Sequence, residues 1–203
     1  MKTNKSKDII LKRIIDVVVS GIALIMLLPI FAIIGIFIKM DSKGPVFFIQ
    51  ERVGKDGKVF RAYKLRTMLD NAEIIDKAMR KDDPKITAVG KHLRWGIDEL
   101  PQLINVFKGD MSLVGPRPTL QEQVKRYSKE HRRRLEMKPG MTGWALINGR
   151  NKLTWPEKIK LDIWYIDYWS IWLDLKILFK TFWIVIIKRE GVYSNSNFNN
   201  MPK

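Results

Sequence analysis

Gly96-Ile97-Asp98-Glu99-Leu100-Pro101-Gln102-Leu103-Ile104-Asn105-Val106-Phe107-Lys108-Gly109-Asp110-Met111-Ser112-Leu113-Val114-Gly115-Pro116-Arg117-Pro118 is the stretch around which the chain is organised. Two adjacent carboxylates, Asp98 and Glu99, open what reads as a helix. Pro101 is tolerated there, because a first-turn residue has no intrahelical N–H partner to lose. Leu100, Leu103, Ile104 and Phe107 supply an apolar face and Gly109 a stop. The chain then returns to Arg117, held between Pro116 and Pro118, which restrict the backbone on both sides. A carboxylate pair at a helix start faces backbone N–H groups and the positive end of the helix dipole. Alone, it reads as a capping Asp beside a solvated Glu; its neighbours make it a candidate catalytic pair.

Working outward toward the N-terminus, Lys58–Lys64 and Pro45–Gln50 read as two short strands, with Gly54-Lys55-Asp56-Gly57 as the turn between them. The second strand runs into Lys64-Leu65-Arg66-Thr67-Met68, which brings two cations close together as a candidate phosphate clamp. Further out, Val17–Ile38 carry no charge, and a straight helix of that length would reach roughly 33 Å, enough to cross a bilayer core. Lys39, Asp41 and Lys43 follow with no small-residue cleavage site, which argues against a signal peptide. Lys5, Lys7, Lys12 and Arg13 before the run and Lys39 and Lys43 after it make both flanks basic, so spanning would leave one flank on the wrong side. Pro29 near the middle removes a helical hydrogen bond. These two features favour a re-entrant helix broken at Leu28-Pro29 over a spanning one, with both basic ends on the cytoplasmic face. Asp16 would then sit at the interface and need Lys12 or Arg13 as partner.

Residues 69–82 read as an exposed helix ended by Asp82-Asp83-Pro84, and Val89–Arg94 as another helical stretch. Residues 119–137 read as a polar, basic helix in which Arg132-Arg133-Arg134 is a solvated or lipid-facing run. Pro139–Trp144 and Asn148-Gly149-Arg150-Asn151 read as turns, the second presenting an arginine. Trp155–Lys188 is amphipathic and dense in aromatics, suited to lying in a membrane interface, and the tail after Gly191 is polar.

Composition limits the chemistry. The 203 residues hold 37 Lys and Arg against 21 Asp and Glu, a formal net charge of +16, which favours anionic partners. The absence of cysteine excludes disulfides, thiolate nucleophiles and Cys-based metal centres. His92 and His131 lie far apart, so any metal is expected to be a hard cation held by oxygen. A nucleic-acid-binding module fits the charge but not the uncharged run or the Trp-rich C-terminal region. A catalytically silent membrane scaffold for glycan enzymes has no need of an aligned carboxylate pair.

The chain resembles the bacterial sugar transferases, the monotopic polyprenyl-phosphate phosphoglycosyl transferases, in their compact single-domain form. The resemblance runs from about residue 9 to about residue 190. Its markers are Gln50-Glu51-Arg52-Val53-Gly54, Tyr63–Met68, Arg94-x-x-x-Asp98-Glu99-Leu100-Pro101-Gln102, Asn105–Pro118, Lys138–Trp144, Asn148–Asn151 and Leu173-Asp174-Leu175-Lys176. The order of these fragments is specific although each alone is weak. It departs from the family pattern at Leu28, where a Ser usually precedes the proline, at Gly96, where a Ser or Thr is common, and at Leu146, where a Gln is common.

The resemblance implies an α+β, mainly helical membrane-associated domain with a re-entrant N-terminal helix, a small β-hairpin and interfacial amphipathic helices. The implied organisation is a basic segment 1–13, a helix–break–helix 14–39, a cytoplasmic catalytic domain 40–190 and a tail 191–203. It also implies transfer of a sugar-1-phosphate from a UDP-sugar to undecaprenyl phosphate at the cytoplasmic face of the bacterial cell membrane, with downstream glycosyltransferases as partners and no nucleic acid. Asp98 would be the nucleophile, with Mg²⁺ against it and the diphosphate, and Glu99 would assist, as metal-site partner beside Asp98 or as base for the incoming phosphate. Arg117 would bind phosphate through its planar fork, with Arg94, Lys64, Arg66 and Arg150 as further contacts and Pro116 and Pro118 as its supports.

Overall fold

The computed structural model describes residues 5–69, 85–149 and 152–184. Its first element, α1 (Lys5–Asp41), is a single helix long and apolar enough to cross a membrane. It is assigned as helix straight through Pro29, so the expected helix–break–helix is one helix with an internal proline. Lys12, Asp16, Ser20, Ala23, Leu27, Phe31, Ile34, Ile38 and Asp41 recur at steps of three and four, and all are buried or half-buried. This stripe lies against the rest of the protein along nearly the whole helix. Ala23, Leu24 and Leu27 pack on the main core, whereas Phe31, Ile34 and Ile38 pack on a second cluster with Leu65 and Leu93. The opposite face exposes Val18, Ile22, Ile25, Met26, Ile33, Ile36 and Phe37.

Polar contacts bolt both ends of α1 down. Near its start Lys12 Nζ lies 2.6 Å from Asp174 Oδ2, while Arg13 donates at 2.7 Å to the carbonyls of both Val106 and Phe107. Asp16 is 3 % exposed and partnered by neither of those cations; it accepts from Leu113 N at 2.9 Å and Ser112 Oγ at 3.1 Å. At the far end, Arg66 donates to the carbonyls of Ser42 at 2.7 Å and Lys43 at 2.5 Å, just past the helix, and reaches Ile38 O of its last turn at 3.5 Å.

The hairpin is present as β1 (Phe47–Val53) and β2 (Val59–Leu65), antiparallel with Glu51 opposite Arg61. After α2 (Ala88–Leu93), Asp98 and Glu99 lie in a 3₁₀ turn, Ile97–Gln102, rather than in the first turn of an α-helix. The α-helix proper, α3 (Leu103–Lys108), follows and ends at Gly109 as expected. Its buried residues are Leu103, Asn105 and Val106; Phe107 is exposed instead of facing the core.

A second sheet was not legible in the sequence. β3 (Ser112–Val114) pairs in parallel with β4 (Gly140–Thr142), a segment whose Pro-Gly content reads as a turn. A Cβ on Gly140 would stand 2.0 Å from Gly115 N, so the two backbones meet closely only because Gly140 has no side chain. The expected basic helix 119–137 is instead α4 (Gln121–Lys125), α5 (Lys129–Arg132) and a 3₁₀ turn, Arg133–Leu135. The chain continues through α6 (Trp144–Ile147), α7 (Trp155–Asp167) and α8 (Ile171–Phe182). Thr154 and Glu157 form a reciprocal cap at the start of α7, and the Ser170 hydroxyl caps α8. Trp172, Phe179 and Phe182 of α8 are exposed, as is Trp183 just after it.

Val106, Met111, Val114, Tyr165 and Ile177 form the driest part of the main core, each 1 % exposed or less. Burying a large apolar side chain contributes about 1.5–3 kcal/mol, so this cluster fixes α3, β3, α7 and α8 together. The expected helix 69–82, Asp82-Asp83, Arg150 and the tail lie largely or wholly outside the described residues.

Candidate active site

The 3₁₀ turn that carries the two acids begins after Gly96, whose φ of 109° is in the left-handed region. A serine or threonine would be strained there, which gives the departure at this position a backbone reason. Glu99 N closes the turn by donating to Gly96 O at 3.3 Å. The turn packs on β2, and that contact brings Lys64 to the acids. Asn105, fully buried, holds β2 in place from α3: its Nδ2 donates to Arg61 O at 2.7 Å and its Oδ1 accepts from Tyr63 N at 3.2 Å. An amide side chain thus takes the position that a third strand would occupy on the β2 edge.

Lys64 Nζ lies 2.7 Å from Glu99 Oε1, and Arg117 Nη2 lies 2.8 Å from the same oxygen. The Arg117 side chain is 49 % exposed, so its fork also faces outward. Its loop is fixed on the protein side by hydrogen bonds from Gly140 N to Pro116 O and from Val53 N to Thr119 O, both 2.8 Å. Pro116 is buried and Pro118 half-buried. Arg94, at the end of α2, is near enough to Asp98 to pull on its charge.

The two neighbouring acids are in opposite electrostatic states. Burial, and then the adjacent Glu99 charge, push the Asp98 carboxyl up to about 6, against the pull of Lys64, Arg94 and Arg117. Burial also pushes Glu99 up, but Arg117 and Lys64 together outweigh it and hold Glu99 well below the usual carboxylate range. Glu99 is therefore a spent counter-ion. Asp98 receives no hydrogen bond or ion pair among the described residues, and is the less stable anion of the two. A half-buried carboxylate in that condition fits contact with a divalent cation, which would relieve its repulsion from Glu99 and from a phosphate. Among the described residues no cluster of three or more His, Asp or Glu exists that could hold a metal by itself.

The structure thus brings together Asp98, Glu99, Lys64, Arg94 and Arg117. It does not bring Arg66 there. That side chain is 4 % exposed and committed to the end of α1, so the expected second clamp residue is a helix cap. The sequence carried no signal that separates them: Lys64 and Arg66 are two residues apart, a spacing that strand alternation puts on one face, and only tertiary packing tells which one meets an acid. Arg150 lies outside the described residues. Arg134, read as part of a solvated run, is buried beneath Arg117.

An acid that accepts no hydrogen bond or ion pair among the described residues, beside an acid that holds two cations, suits displacement chemistry on a phosphorylated anion. The family model for bacterial sugar transferases matches residues 7–188, and the chain belongs to that family. It is 45 % identical over 193 residues to an uncharacterized sugar transferase, EpsL, of Bacillus subtilis, covering 93 % of each chain. It is 40 % identical over 200 residues to the undecaprenyl-phosphate galactose phosphotransferase of Salmonella typhimurium, covering 90 % of this chain and 42 % of that one. Against the UDP-glucose:undecaprenyl-phosphate glucose-1-phosphate transferase of Escherichia coli the identity is 41 % over 183 residues, covering 85 % of this chain and 39 % of that one. The chain therefore spans nearly all of the Bacillus relative and less than half the length of the two named phosphotransferases.

Proposed function

We propose that this protein transfers a sugar-1-phosphate from a UDP-sugar to undecaprenyl phosphate at the cytoplasmic face of a bacterial membrane, as the opening step of a surface glycan. Asp98 supports this reading most directly: of the pair, it is the acid that makes no direct ion pair among the described residues. In the first displacement an Asp98 carboxylate oxygen attacks the sugar-bearing phosphorus. A P–O bond to Asp98 forms, the diphosphate bridge breaks, and the nucleoside monophosphate leaves with the bridging oxygen. In the second, a phosphate oxygen of the polyprenol attacks the same phosphorus and Asp98 departs as a carboxylate. Two displacements suit a soluble donor and a lipid-bound acceptor that arrive separately.

Arg117 and Lys64 bind the donor's phosphate oxygens, exchanging part of their hold on Glu99 for the incoming anion. Arg94 lowers the cost of the Asp98 charge. Asp98, with Glu99 beside it, would hold Mg²⁺, which when bound offsets charge between the carboxylate and the diphosphate. The apolar outer face of α1 and the exposed aromatics of α8 support a seat in one leaflet, with the acids near head-group depth. Because the stripe of α1 rests on the domain from Lys12 to Asp41, the reading favours a helix embedded from one side over a spanning one.

The test is release of UMP from a panel of UDP-sugars by purified protein with polyprenol phosphate, wild type against Asp98→Asn. Mg²⁺-dependent release is expected for wild type and not for the variant. With donor alone, a phosphosugar mass is expected on the peptide containing Asp98. Turnover retained in Asp98→Asn would overturn the assignment of the nucleophile.

A further inference from the structure

Arg132, Arg133 and Arg134 are consecutive, yet the second and third have opposite surroundings. Arg133 is half-exposed and pairs at the surface with Asp167 and Glu136. Arg134 is 3 % exposed. Its Nη2 donates to Asp162 Oδ2 at 2.5 Å and to the backbone carbonyl of Arg117 at 3.1 Å, and its Nη1 donates to the Tyr127 hydroxyl at 2.6 Å. The rings of Tyr127 and Trp155 lie 5.8 and 5.9 Å from the guanidinium carbon. Asp162 and Tyr127 are buried as well.

A buried ion pair of this kind adds little net stability compared with apolar side chains of the same shape, because desolvation cancels most of the attraction. What the arginine does and an apolar residue could not do is donate to a loop carbonyl while staying neutralised. Neighbouring backbone bonds of that loop act at Pro116 and Thr119, whereas the Arg134 bond acts on the backbone carbonyl of Arg117 itself. The planar fork allows it: one guanidinium spans α7 through Asp162, the α4–α5 segment through Tyr127, and the Pro-Arg-Pro loop.

We infer that Arg134 is a positioning residue for Arg117, setting from beneath the loop where the Arg117 guanidinium stands relative to Glu99 and the incoming diphosphate. The inference rests on the phosphate-binding role proposed above for Arg117. Arg134 itself reaches no substrate; its effect passes entirely through Arg117.

The experiment is a double-mutant cycle on UMP release in the intact protein. Replacing the whole pair, Arg134→Met with Asp162→Leu, removes the donor without leaving a buried charge unpaired, and a thermal midpoint checks the fold. The pair variant is expected to lose at least tenfold in kcat/KM, and to lose no more than about twofold when added to Arg117→Met. Losses that multiply, or a pair variant within twofold of wild type, would overturn the inference. If the pair variant does not fold, Tyr127→Phe replaces it in the cycle. A several-fold loss that disappears in the Arg117→Met background supports the inference, and no loss overturns it. The two readings fail separately: a wild-type protein that releases no UMP sinks the proposed function, whereas an active wild type with an indifferent Arg134 sinks this inference alone.

Discussion

Arg117 Nη2 rests 2.8 Å from Glu99 Oε1, and no bond joins it to the adjacent Asp98 among the described residues. One carboxylate of a sequence-adjacent pair thereby collects the cations, and the other is left with a raised proton affinity. The consequences for activity and stability have opposite signs at the two positions.

On the proposed mechanism Asp98 must be ionised to attack, and burial pushes its carboxyl up to about 6. The pH profile of kcat/KM, which reports the free enzyme, is expected to fall about tenfold per pH unit below that value. Initial rates of UMP release across about pH 5 to 8 check this. A profile flat down to the ordinary range of an aspartate would contradict the burial argument.

Because folding raises the Asp98 value, its contribution to stability is lost as pH rises through about 6. Asp98→Asn, which the proposed mechanism makes inactive, is therefore expected to be more stable than wild type at pH 8, on the order of 1–3 kcal/mol. Thermal or denaturant unfolding at pH 8 and pH 5 tests the sign, and the advantage of the variant should shrink at the lower pH.

Glu99 behaves the other way. Its value is depressed in the fold, so its contribution is present above the unfolded value of about 4.5 and lost on acidification through the folded value. Glu99→Gln leaves Lys64 and Arg117 facing one another without a shared anion. The variant is expected to unfold at lower denaturant than wild type at neutral pH, by on the order of 1–3 kcal/mol. A neutral effect would mean that the pair is solvated rather than held.

Lys12 and Asp174 join α1 to α8 in a nearly dry setting, where Asp174 also accepts from Tyr165 Oη at 2.6 Å and Trp169 Nε1 at 3.1 Å. Lys12→Ala would strand that carboxylate, at a cost of about 3–5 kcal/mol. Protease digestion of the detergent-solubilised variant is expected to release α1 well before the wild type does.

Arg66→Met separates a cap from a clamp. Arg66 donates to carbonyls at the end of α1 and makes no contact with Glu99. The thermal midpoint is expected to fall while KM for the donor stays within about twofold, because the phosphate site does not include this side chain. A raised KM at unchanged stability would restore the clamp reading.

Much was legible in the chain itself. The strand–turn–strand pattern around Gly54–Gly57 determines the hairpin, and the uncharged run determines α1. Asp98, Glu99 and Pro116-Arg117-Pro118 are close in sequence, so local order was enough to nominate them. Periodicity and capping are properties of neighbours along the chain, which is why they can be read without coordinates.

Tertiary structure alone decided the partners. Lys64 and Arg66 have equal charge and nearly equal position, but one meets Glu99 and the other closes α1. Arg133 and Arg134 are consecutive, but one is at the surface and the other beneath Arg117. β3 and β4 pair across about 25 residues, and their contact depends on glycine leaving room for a second backbone. A charged side chain's meaning depends on the group that long-range packing sets against it and on how much water that packing removes, and neither quantity is encoded in local spacing.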